Sequence, residues 1–442
     1  MFIIDNLSVN NKGNLTFAGI DTVELAKKYK TPLYVMDEDK IRNKCRAYVK
    51  ALSTYFNCAE ALYASKANSF KHIYEIVNEE GMSVDVVSGG ELYTALKSGF
   101  PMEKVYFHGN NKTKDEIKFA IENKIGYFVV DNLYELKNVD EIAGECNINQ
   151  KILLRITPGI DPHTFEAVAT GKVDSKFGSA IETGQALEIV KAALECENIE
   201  LMGYHCHIGS QVFEHTPFSD AARVMLKFIA DTKTETGYEA KILNLGGGFG
   251  VRYVEGDAGL DIDECIKMLA GIIKEECAAL GINEPKILME PGRSIVGDCG
   301  ITLYTVGSIK EIIGYKKYVA VDGGMADNPR YALYEAEYSA TVANKASDEP
   351  ALIANKAEKI RDYHCTIAGK CCEDGDVIQK DVNLQTPESG DILAVLCTGA
   401  YNYSMASNYN KIPRPPIVMI KNKEDYVAVK RETYEDLLKN EL

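Results

Sequence analysis

Four short motifs carry residue types that could do covalent and electrostatic chemistry together. Lys66 lies in YASKAN, where small and apolar neighbours would desolvate its amine enough to make it a nucleophile towards a carbonyl. A lysine that extends from a strand end into solvent is the simpler alternative, because lysines are rarely buried. The other three motifs therefore decide whether Lys66 has neighbours that suit a reactive amine.

The run GGGFG places Gly246, Gly247 and Gly248 in succession. Consecutive glycines let backbone N–H groups approach a phosphate without obstruction by Cβ atoms, so the run is a candidate anion cradle. A plain turn is the alternative. The position of the run in the fold decides between an anion-binding loop and a plain turn.

In YHCHIGS, His205 and His207 lie two residues apart and would share one face of a strand. Two histidines lack an obvious third ligand, so we expect no metal. One imidazole could instead stack on a planar ring, although His205 could equally be satisfied by local hydrogen bonds. Glu290 ends the apolar run KILME and needs a partner there, either Arg293 or the protonated nitrogen of such a ring.

Eight strand-like runs, separated by longer amphipathic stretches, would position these motifs. Two of the stretches, 182–195 and 263–280, repeat apolar residues three and four apart, as helices do. The alternation predicts an α/β fold with a parallel (β/α)₈ TIM-like barrel, and a doubly wound sheet is the rival because it shares the local pattern. The runs cover 61–66, 83–88, 104–109, 127–131, 152–158, 201–209, 242–248 and 286–292.

In a barrel the four motifs would meet. They end the first, sixth, seventh and eighth runs, and the active sites of such barrels lie at the C-terminal ends of the strands. The loops after strands seven and eight commonly bind phosphate in this fold. This position favours the phosphate interpretation of the glycine run.

Past residue 300 the strand-like runs are separated by turns rather than long helices, which predicts a mostly antiparallel C-terminal β domain. The run TPLYVMD (31–37) is a further strand, and we expect this N-terminal arm to join the C-terminal sheet. The predicted domains are the barrel, 38–292, and a β domain made of 1–37 and 293–442.

The composition excludes several classes of protein. A net charge of −16 argues against nucleic acid or an anionic membrane as a partner. No apolar run approaches the roughly 20 residues of a membrane helix. The N-terminus lacks the pattern of a signal peptide, and twelve irregularly spaced cysteines argue against a disulfide framework. We therefore expect a cytoplasmic protein.

The ordered motifs resemble a known family, the alanine-racemase-fold (fold-type III) decarboxylases that use pyridoxal 5′-phosphate. The resemblance runs from about residue 30 to about residue 420. Each motif is modest by itself, but the ordered set is specific. The motifs are YASKAN, DSKFG, HCHIGSQ, LGGGFG, EPGRS, VDGG, CCEDGD and GAYN.

The resemblance implies how the cofactor would be held. Lys66 would bind it covalently as a Schiff base, and His207 would stack on its ring as a second catalytic residue. Glu290 would pair with the ring nitrogen, where alanine racemases carry an arginine, so a carboxylate here favours decarboxylation. The remaining cofactor contacts would come from Ser210, Gly246, Gly247, Gly248, Gly292, Arg293 and Tyr401.

The motifs are most similar to those of members that act on meso-2,6-diaminopimelate. This implies a lyase that releases CO₂ and L-lysine as the last step of lysine biosynthesis. Cys372 would return a proton to the substrate, and Glu373 would bind its distal ammonium. In this family both come from the partner subunit, so the resemblance implies a homodimer with shared active sites. Substrate carboxylate would be bound by Arg293, Arg330 and Tyr334, and Tyr401 would contact both the cofactor phosphate and the substrate.

Alternatives to this substrate stay open. Another basic amino acid (ornithine, arginine or a D-amino acid) is one. A non-catalytic regulatory homologue is another, although the presence of both Lys66 and Cys372 argues against it. The adjacent Cys371 leaves the identity of the proton donor open by one position. Three departures from the family pattern concern substrate specificity more than the cofactor: Lys370, Phe165, and the pair Asn328 and Pro329 before Arg330.

Overall fold

The computed structural model describes residues 3–160, 173–346 and 361–442, so Phe165 lies outside the described residues. The chain divides into two compact units. A barrel unit comprises Arg42–Gly250 and Gly259–Ile295, and a β unit comprises Met1–Ile41, Val251–Ala258 and Val296–Leu442. The sequence-based boundaries at 38 and 292 stay a prediction.

The strands are short, and most are rich in β-branched or aromatic residues, which favour extended backbone. They are β1 (Leu7–Val9), β2 (Leu15–Phe17), β3 (Ile20–Asp21), β4 (Leu33–Asp37), β5 (Ala59–Ala64), β6 (Ser83–Val86), β7 (Val105–Phe107), β8 (Tyr127–Val130), β9 (Gln150–Thr157), β10 (Ser179–Ala180), β11 (Ile199–His205), β12 (Ile242–Asn244), β13 (Lys286–Met289), β14 (Gly300–Ile312), β15 (Lys316–Val321), β16 (Ala340–Val342), β17 (Tyr363–Ala368), β18 (Val377–Leu384), β19 (Ile392–Leu396), β20 (Ile417–Lys421) and β21 (Glu424–Val429).

The helices are longest between the strands of the barrel unit. They are α1 (Thr22–Tyr29), α2 (Glu38–Tyr55), α3 (Lys71–Glu79), α4 (Gly89–Lys97), α5 (Lys114–Glu122), α6 (Leu133–Glu145), α7 (Gln185–Glu195), α8 (Thr216–Thr236), α9 (Ile262–Leu280), α10 (Arg293–Val296), α11 (Arg330–Tyr334) and α12 (Tyr434–Leu438).

The barrel unit contains a closed parallel sheet in the order β9-β11-β12-β13-β5-β6-β7-β8, and β8 pairs with β9 to close it. The predicted (β/α)₈ barrel is therefore confirmed. The alternative, a doubly wound sheet, is wrong, because a doubly wound sheet is open at both edges whereas this one is closed. Each of the eight predicted runs overlaps one barrel strand. A hydrophobic cluster drawn from six of these strands fills part of the barrel core. Its buried members are Leu62, Tyr106, Val129, Leu153, Ile242 and Leu288.

Helix α9 shows why the stretches between the strands are helical. Asp261 caps its start by accepting a hydrogen bond from Glu264 N at 3.1 Å, and Gly281 ends it in the left-handed region. Apolar residues recur three and four apart along one buried stripe, and burying each of its leucine and isoleucine side chains stabilises the fold by about 1.5–3 kcal/mol. That stripe includes Cys265, Ile266, Leu269, Ile273 and Cys277.

The β unit is built on a mostly antiparallel sheet in the order β18-β17-β15-β14-β4-β20-β21. Strand β4 lies inside this sheet, antiparallel to β14 and parallel to β20. Every residue of β4 is buried, as expected for a central strand. The prediction that the N-terminal arm joins the C-terminal sheet is confirmed.

Within the described ranges, no helix has both the length and the apolar character needed to cross a membrane. All twelve cysteines are free thiols.

Candidate active site

Lys66 lies in a single turn of 3₁₀ helix, Ser65–Ala67, directly after β5. Its side chain is exposed, whereas both neighbours are fully buried. Two carboxylates hold the turn in place: Ser65 N donates to Asp85 Oδ1 at 3.1 Å, and Ser65 Oγ donates to Glu91 Oε2 at 2.9 Å. The buried turn thus presents the lysine amine from a fixed backbone.

The same carboxylates interact electrostatically with Lys66. Burial raises the pKa of Asp85 well above its ordinary value, the negative charge of Glu290 adds to this, and the Lys66 cation opposes it. Burial also raises the pKa of Glu91, against hydrogen bonds from Val87 and Ser65 and the charge of Lys66. The lysine therefore belongs to a group of buried acids, which is the kind of setting that tunes an active-site residue.

Glu290 follows β13 directly and is 7% exposed. Asn244 Nδ2 donates to Glu290 Oε1 at 2.7 Å, His205 Nε2 lies 3.2 Å from Oε2, and His108 Nε2 lies 2.8 Å from Oε1. Burial by itself would raise the pKa of Glu290, but the interactions with the two histidines hold it well below its ordinary value. Glu290 is therefore an ionised carboxylate at the end of strand eight.

The two histidines support Glu290 as neutral rings. Burial lowers the pKa of both, that of His205 to about 4, although Glu290 opposes the shift. A neutral imidazole can still donate one N–H, which is what the carboxylate requires here. The alternative for His205, a histidine held by local hydrogen bonds, matches its Nε2, which contacts Glu290, whereas its buried Nδ1 has no hydrogen-bond partner among the described residues.

From the sequence, the histidine pair lacked a third residue that could bind a metal ion. In the structure, His108 lies close enough to His205 and Glu290 to form such a group of three. The ligand atoms of His108, His205 and Glu290 lie within 4.8 Å of one another. Two imidazoles and a carboxylate suit a divalent transition metal. The contacts of Glu290 with Asn244, His205 and His108 already account for the burial of the carboxylate, so the geometry does not require an ion.

The glycine run leaves β12 at Asn244 and packs closely on the loops beside it. A Cβ on Gly247 would lie 2.1 Å from Glu290 O, and one on Gly248 would lie 2.3 Å from Gly209 O. Only glycine permits these approaches. Gly247 N donates to His207 Nδ1 at 3.3 Å, so the imidazole of His207 lies against this loop.

His207 is half-buried, and burial together with the positive charge of Lys66 lowers its pKa well below the ordinary value. It is therefore neutral at physiological pH. A neutral, flat ring beside both the lysine and the glycine loop can stack on a planar ligand without adding charge.

Arg293 begins α10 and joins the loops of strands six and eight, because its Nε and one terminal nitrogen lie 3.3 and 3.1 Å from Ser210 Oγ. The carboxylate of Glu290 takes its contacts from Asn244 and the histidines, so the alternative in which Arg293 neutralises it is wrong. A Cβ on Gly292 would lie 2.8 Å from Ala64 Cβ, which explains why this position is a glycine.

The β unit holds a second group of predicted residues around Arg330, the first residue of α11. The guanidinium is buried and lies 4.7 Å from the ring of Tyr253 and 5.3 Å from that of Tyr338. Its terminal nitrogen donates to Tyr338 Oη at 2.7 Å, and that hydroxyl donates to Asn402 Oδ1 at 3.0 Å. Burial works to lower the pKa of Arg330, but the two tyrosines outweigh it, so the cation persists. A fixed guanidinium suits a ligand carboxylate.

The remaining predicted residues of the β unit are more accessible. Tyr334 is 40% exposed, Tyr401 is half-buried, and Cys372 and Glu373 are exposed in one loop. Cys371 is instead buried, and burial together with Asp376 raises the pKa of its thiol to about 11. The roles of these residues stay predictions.

Several residues of the barrel site were missed from the sequence. Asp85 interrupts the β-branched run SVDVVS, and a charge in such a run is a detectable signal. His108 ends the third run, so the rule that selected His207 would have selected it too. Glu91 and Asn244 carry no comparable signal, because their role depends on neighbouring strands.

The barrel with this site matches a known family over more than half of the chain. The family model described as "Pyridoxal-dependent decarboxylase, pyridoxal binding domain" covers residues 38–297. Together with the β unit, this match defines the class: a lyase that depends on pyridoxal phosphate and removes a carboxylate from an amino acid.

Full-length relatives narrow the class. Diaminopimelate decarboxylase of Bacillus subtilis is 46% identical over 100% of this chain and 98% of that protein, and the enzyme of Bacillus methanolicus is 48% identical over 98% of each. The crystal structure of diaminopimelate decarboxylase from M. jannaschii in complex with L-lysine is 36% identical, covers 100% of this chain and 99% of the other, and has a TM-score of 0.88. This chain belongs to the diaminopimelate decarboxylase family.

The donor set of the barrel fits pyridoxal phosphate. The Glu290 carboxylate suits a protonated ring nitrogen, and the exposed Lys66 amine suits the carbonyl. The glycine run lies against His207, and its Gly248 is half-buried, so this is the part of the run that a phosphate could approach. When bound, this cofactor supplies an electron sink for the electron pair left when CO₂ departs.

Proposed function

We propose that this enzyme converts meso-2,6-diaminopimelate to L-lysine and CO₂, with loss of the carboxylate at the D-centre. The assignment of this substrate rests on the full-length similarity to diaminopimelate decarboxylases, one of which was solved in complex with L-lysine. The ionised Glu290 carboxylate at the barrel site supports the reaction, because it would keep a cofactor ring protonated.

We assign the barrel residues to the cofactor. Lys66 binds its carbonyl carbon, His207 lies against its ring, and Glu290 holds a proton on the ring nitrogen. Asn244 and two neutral histidines keep Glu290 ionised and oriented for this task. The cofactor phosphate is bound by Gly246, Gly247, Gly248 and Tyr401, and Ser210, Gly292 and Arg293 make further contacts with the cofactor.

We assign the residues of the β unit to the substrate. Arg330, with Arg293 and Tyr334, binds substrate carboxylate, for which its guanidinium is already oriented between two tyrosine rings, and Tyr401 contacts the substrate. Glu373 binds the distal ammonium. Cys372 returns a proton to Cα, and its exposed side chain suits that role better than the buried Cys371.

The proposal includes a cytoplasmic homodimer in which Cys372 and Glu373 of the partner subunit complete each site. The twelve free thiols support a reducing compartment. Dimerisation would explain why two chemically suited side chains lie exposed in one loop.

The substrate assay compares meso-diaminopimelate with ornithine, lysine, arginine and D-amino acids by CO₂ release. We expect the highest kcat/KM for diaminopimelate, because two oppositely charged groups at its distal centre can meet an arginine and Glu373. A higher kcat/KM for ornithine or arginine would overturn the substrate. No turnover of any of them by cofactor-loaded protein would favour a regulatory homologue.

Glu290→Gln tests the proposed role of the carboxylate. We expect kcat to fall on the order of 10²–10³-fold, because glutamine cannot offset the positive charge of a protonated ring nitrogen. Steady-state CO₂ release measures this. Glu60→Gln is the matched control: Glu60 pairs with Lys286 at the opposite, N-terminal end of the strands, so kcat should be retained. Equal losses in both variants would contradict the role of Glu290.

A further inference from the structure

The loop between β17 and β18 carries Cys372 and Glu373, and its backbone is tied down on both sides. Exposed loops are usually mobile, because few contacts restrain them. Here Gly369 N donates to Asp376 O at 2.9 Å, and Lys370 N donates to Gly323 O at 2.9 Å. These bonds fix the first half of the loop to its own end and to the loop after β15.

Asp376 binds the backbone of this loop from its buried side through hydrogen bonds. Its carboxylate is 4% exposed and accepts hydrogen bonds from Cys371 N at 2.6 Å and from Met325 N at 2.5 Å. A Cβ on Gly369 would lie 2.2 Å from this carboxylate, and one on Gly324 would lie 2.5 Å from it. The two glycines therefore let one buried acid bind the backbone of both loops.

Asn410 binds the backbone of this loop from its exposed side through a hydrogen bond. Its Oδ1 accepts a hydrogen bond from Cys372 N at 2.8 Å, and the neighbouring Tyr409 hydroxyl donates to Glu373 Oε2 at 3.3 Å. Asn410 has a φ of +51°, a conformation that asparagine tolerates better than most residues. Two successive amides, of Cys371 and Cys372, are thus held by side chains from different parts of the chain.

We propose that Asp376 and Asn410 are positioning residues for the proton-donating thiol of Cys372. This inference rests on the proposed function, in which Cys372 returns a proton to Cα. The Cys372 side chain is exposed, so no buried surroundings orient its thiol. The hydrogen bonds from Cys371 N to Asp376 and from Cys372 N to Asn410 instead fix the backbone that carries it. Displacing a reacting group by about 1 Å can cost on the order of 10²-fold in rate.

Asn410→Gly tests the hydrogen bond from Cys372 N to Asn410. Glycine keeps the left-handed backbone but removes the acceptor, so kcat should fall about tenfold or more while KM changes less. Asn410→Asp keeps an acceptor oxygen and should restore kcat to within about threefold of wild type, since the hydrogen bond is retained. Asn422→Gly is the matched control, with an exposed asparagine at φ +52° in the turn between β20 and β21, and should keep wild-type kcat.

Asp376→Asn tests the hydrogen bonds that the buried carboxylate accepts. Asparagine offers one oxygen and one N–H₂ group, so either Met325 N or Cys371 N loses its acceptor and faces a donor. We expect kcat per folded enzyme to fall about tenfold or more because the loop shifts. Asp391→Asn is the control: Asp391 is also buried in the β unit and accepts a backbone hydrogen bond, from Glu388 N at 2.7 Å, but it does not bind this loop.

A double-mutant comparison separates positioning from a general structural effect. In a Cys372→Ala background there is no thiol to orient, so adding Asn410→Gly should change the residual kcat by less than about twofold. A full loss in that background, or wild-type kcat in Asn410→Gly itself, would overturn the inference. A wild-type enzyme that does not decarboxylate diaminopimelate would instead refute the proposed function.

Discussion

Replacing Lys66 by alanine is expected to abolish turnover, with a loss of kcat on the order of 10⁴-fold or more, because covalent attachment and proton transfer both depend on its amine. The backbone turn that carries Lys66 should survive, since Ser65 and the carboxylates of Asp85 and Glu91 hold it without the lysine side chain. The variant should therefore fold and still bind cofactor non-covalently.

Borohydride reduction followed by peptide mass spectrometry provides the measurement. The wild-type protein should carry the cofactor mass on the peptide that contains Lys66, and the Lys66→Ala protein should carry it on no peptide. Lys71→Ala is the control, because Lys71 is exposed at the start of α3 and pairs with Glu75. Cofactor mass on a different lysine, or retained turnover in Lys66→Ala, would refute the assignment.

The barrel strands could be predicted because apolar, β-branched and aromatic runs are buried on both faces of a parallel sheet. Their ends were predicted less well. The run 242–248 yields a strand only to Asn244, and the run 201–209 only to His205. The glycines beyond these points lie outside the strands, so the residues that predicted a binding loop also ended the strands.

Site residues at strand ends could be predicted, but their partners could not. Which side chain meets Glu290 depends on how β7, β11 and β12 are placed around the closed barrel, and a periodic pattern does not encode that placement. The same applies to Arg330, whose neighbour Tyr253 comes from a segment that the sequence assigned to the barrel.

Lys112 is the clearest case of a residue whose burial could not be predicted from the sequence. In GNNKTKDE it resembles an exposed loop lysine, yet its side chain is 1% exposed. Its Nζ lies 2.7 Å from Glu135 Oε1, a carboxylate that is 2% exposed, and donates to the carbonyl oxygens of Gly109 and Val129, each at 2.9 Å. All three donors of the ammonium are therefore used, which a buried cation requires.

Lys112→Ala is expected to destabilise the protein by about 3–5 kcal/mol, because it leaves the Glu135 carboxylate buried without its cation. Burial already lowers the pKa of Lys112 and raises that of Glu135, and their mutual attraction opposes both shifts. Removing one partner keeps the desolvation cost of the other. The free energy of unfolding, from urea titration followed by circular dichroism, measures the effect.

Lys114→Ala provides the matched comparison two residues away. Lys114 pairs with Glu141 at 2.9 Å, but the two side chains are 53% and 57% exposed, so its loss should lower the free energy of unfolding far less than the loss of Lys112. A double variant, Lys112→Met with Glu135→Gln, should recover part of the loss, because glutamine can still accept the hydrogen bond from Asp131 N and no charge stays buried. If Lys112→Ala cost no more than Lys114→Ala, the carboxylate of Glu135 would have to be neutral in the folded protein, and the buried ion pair would not exist.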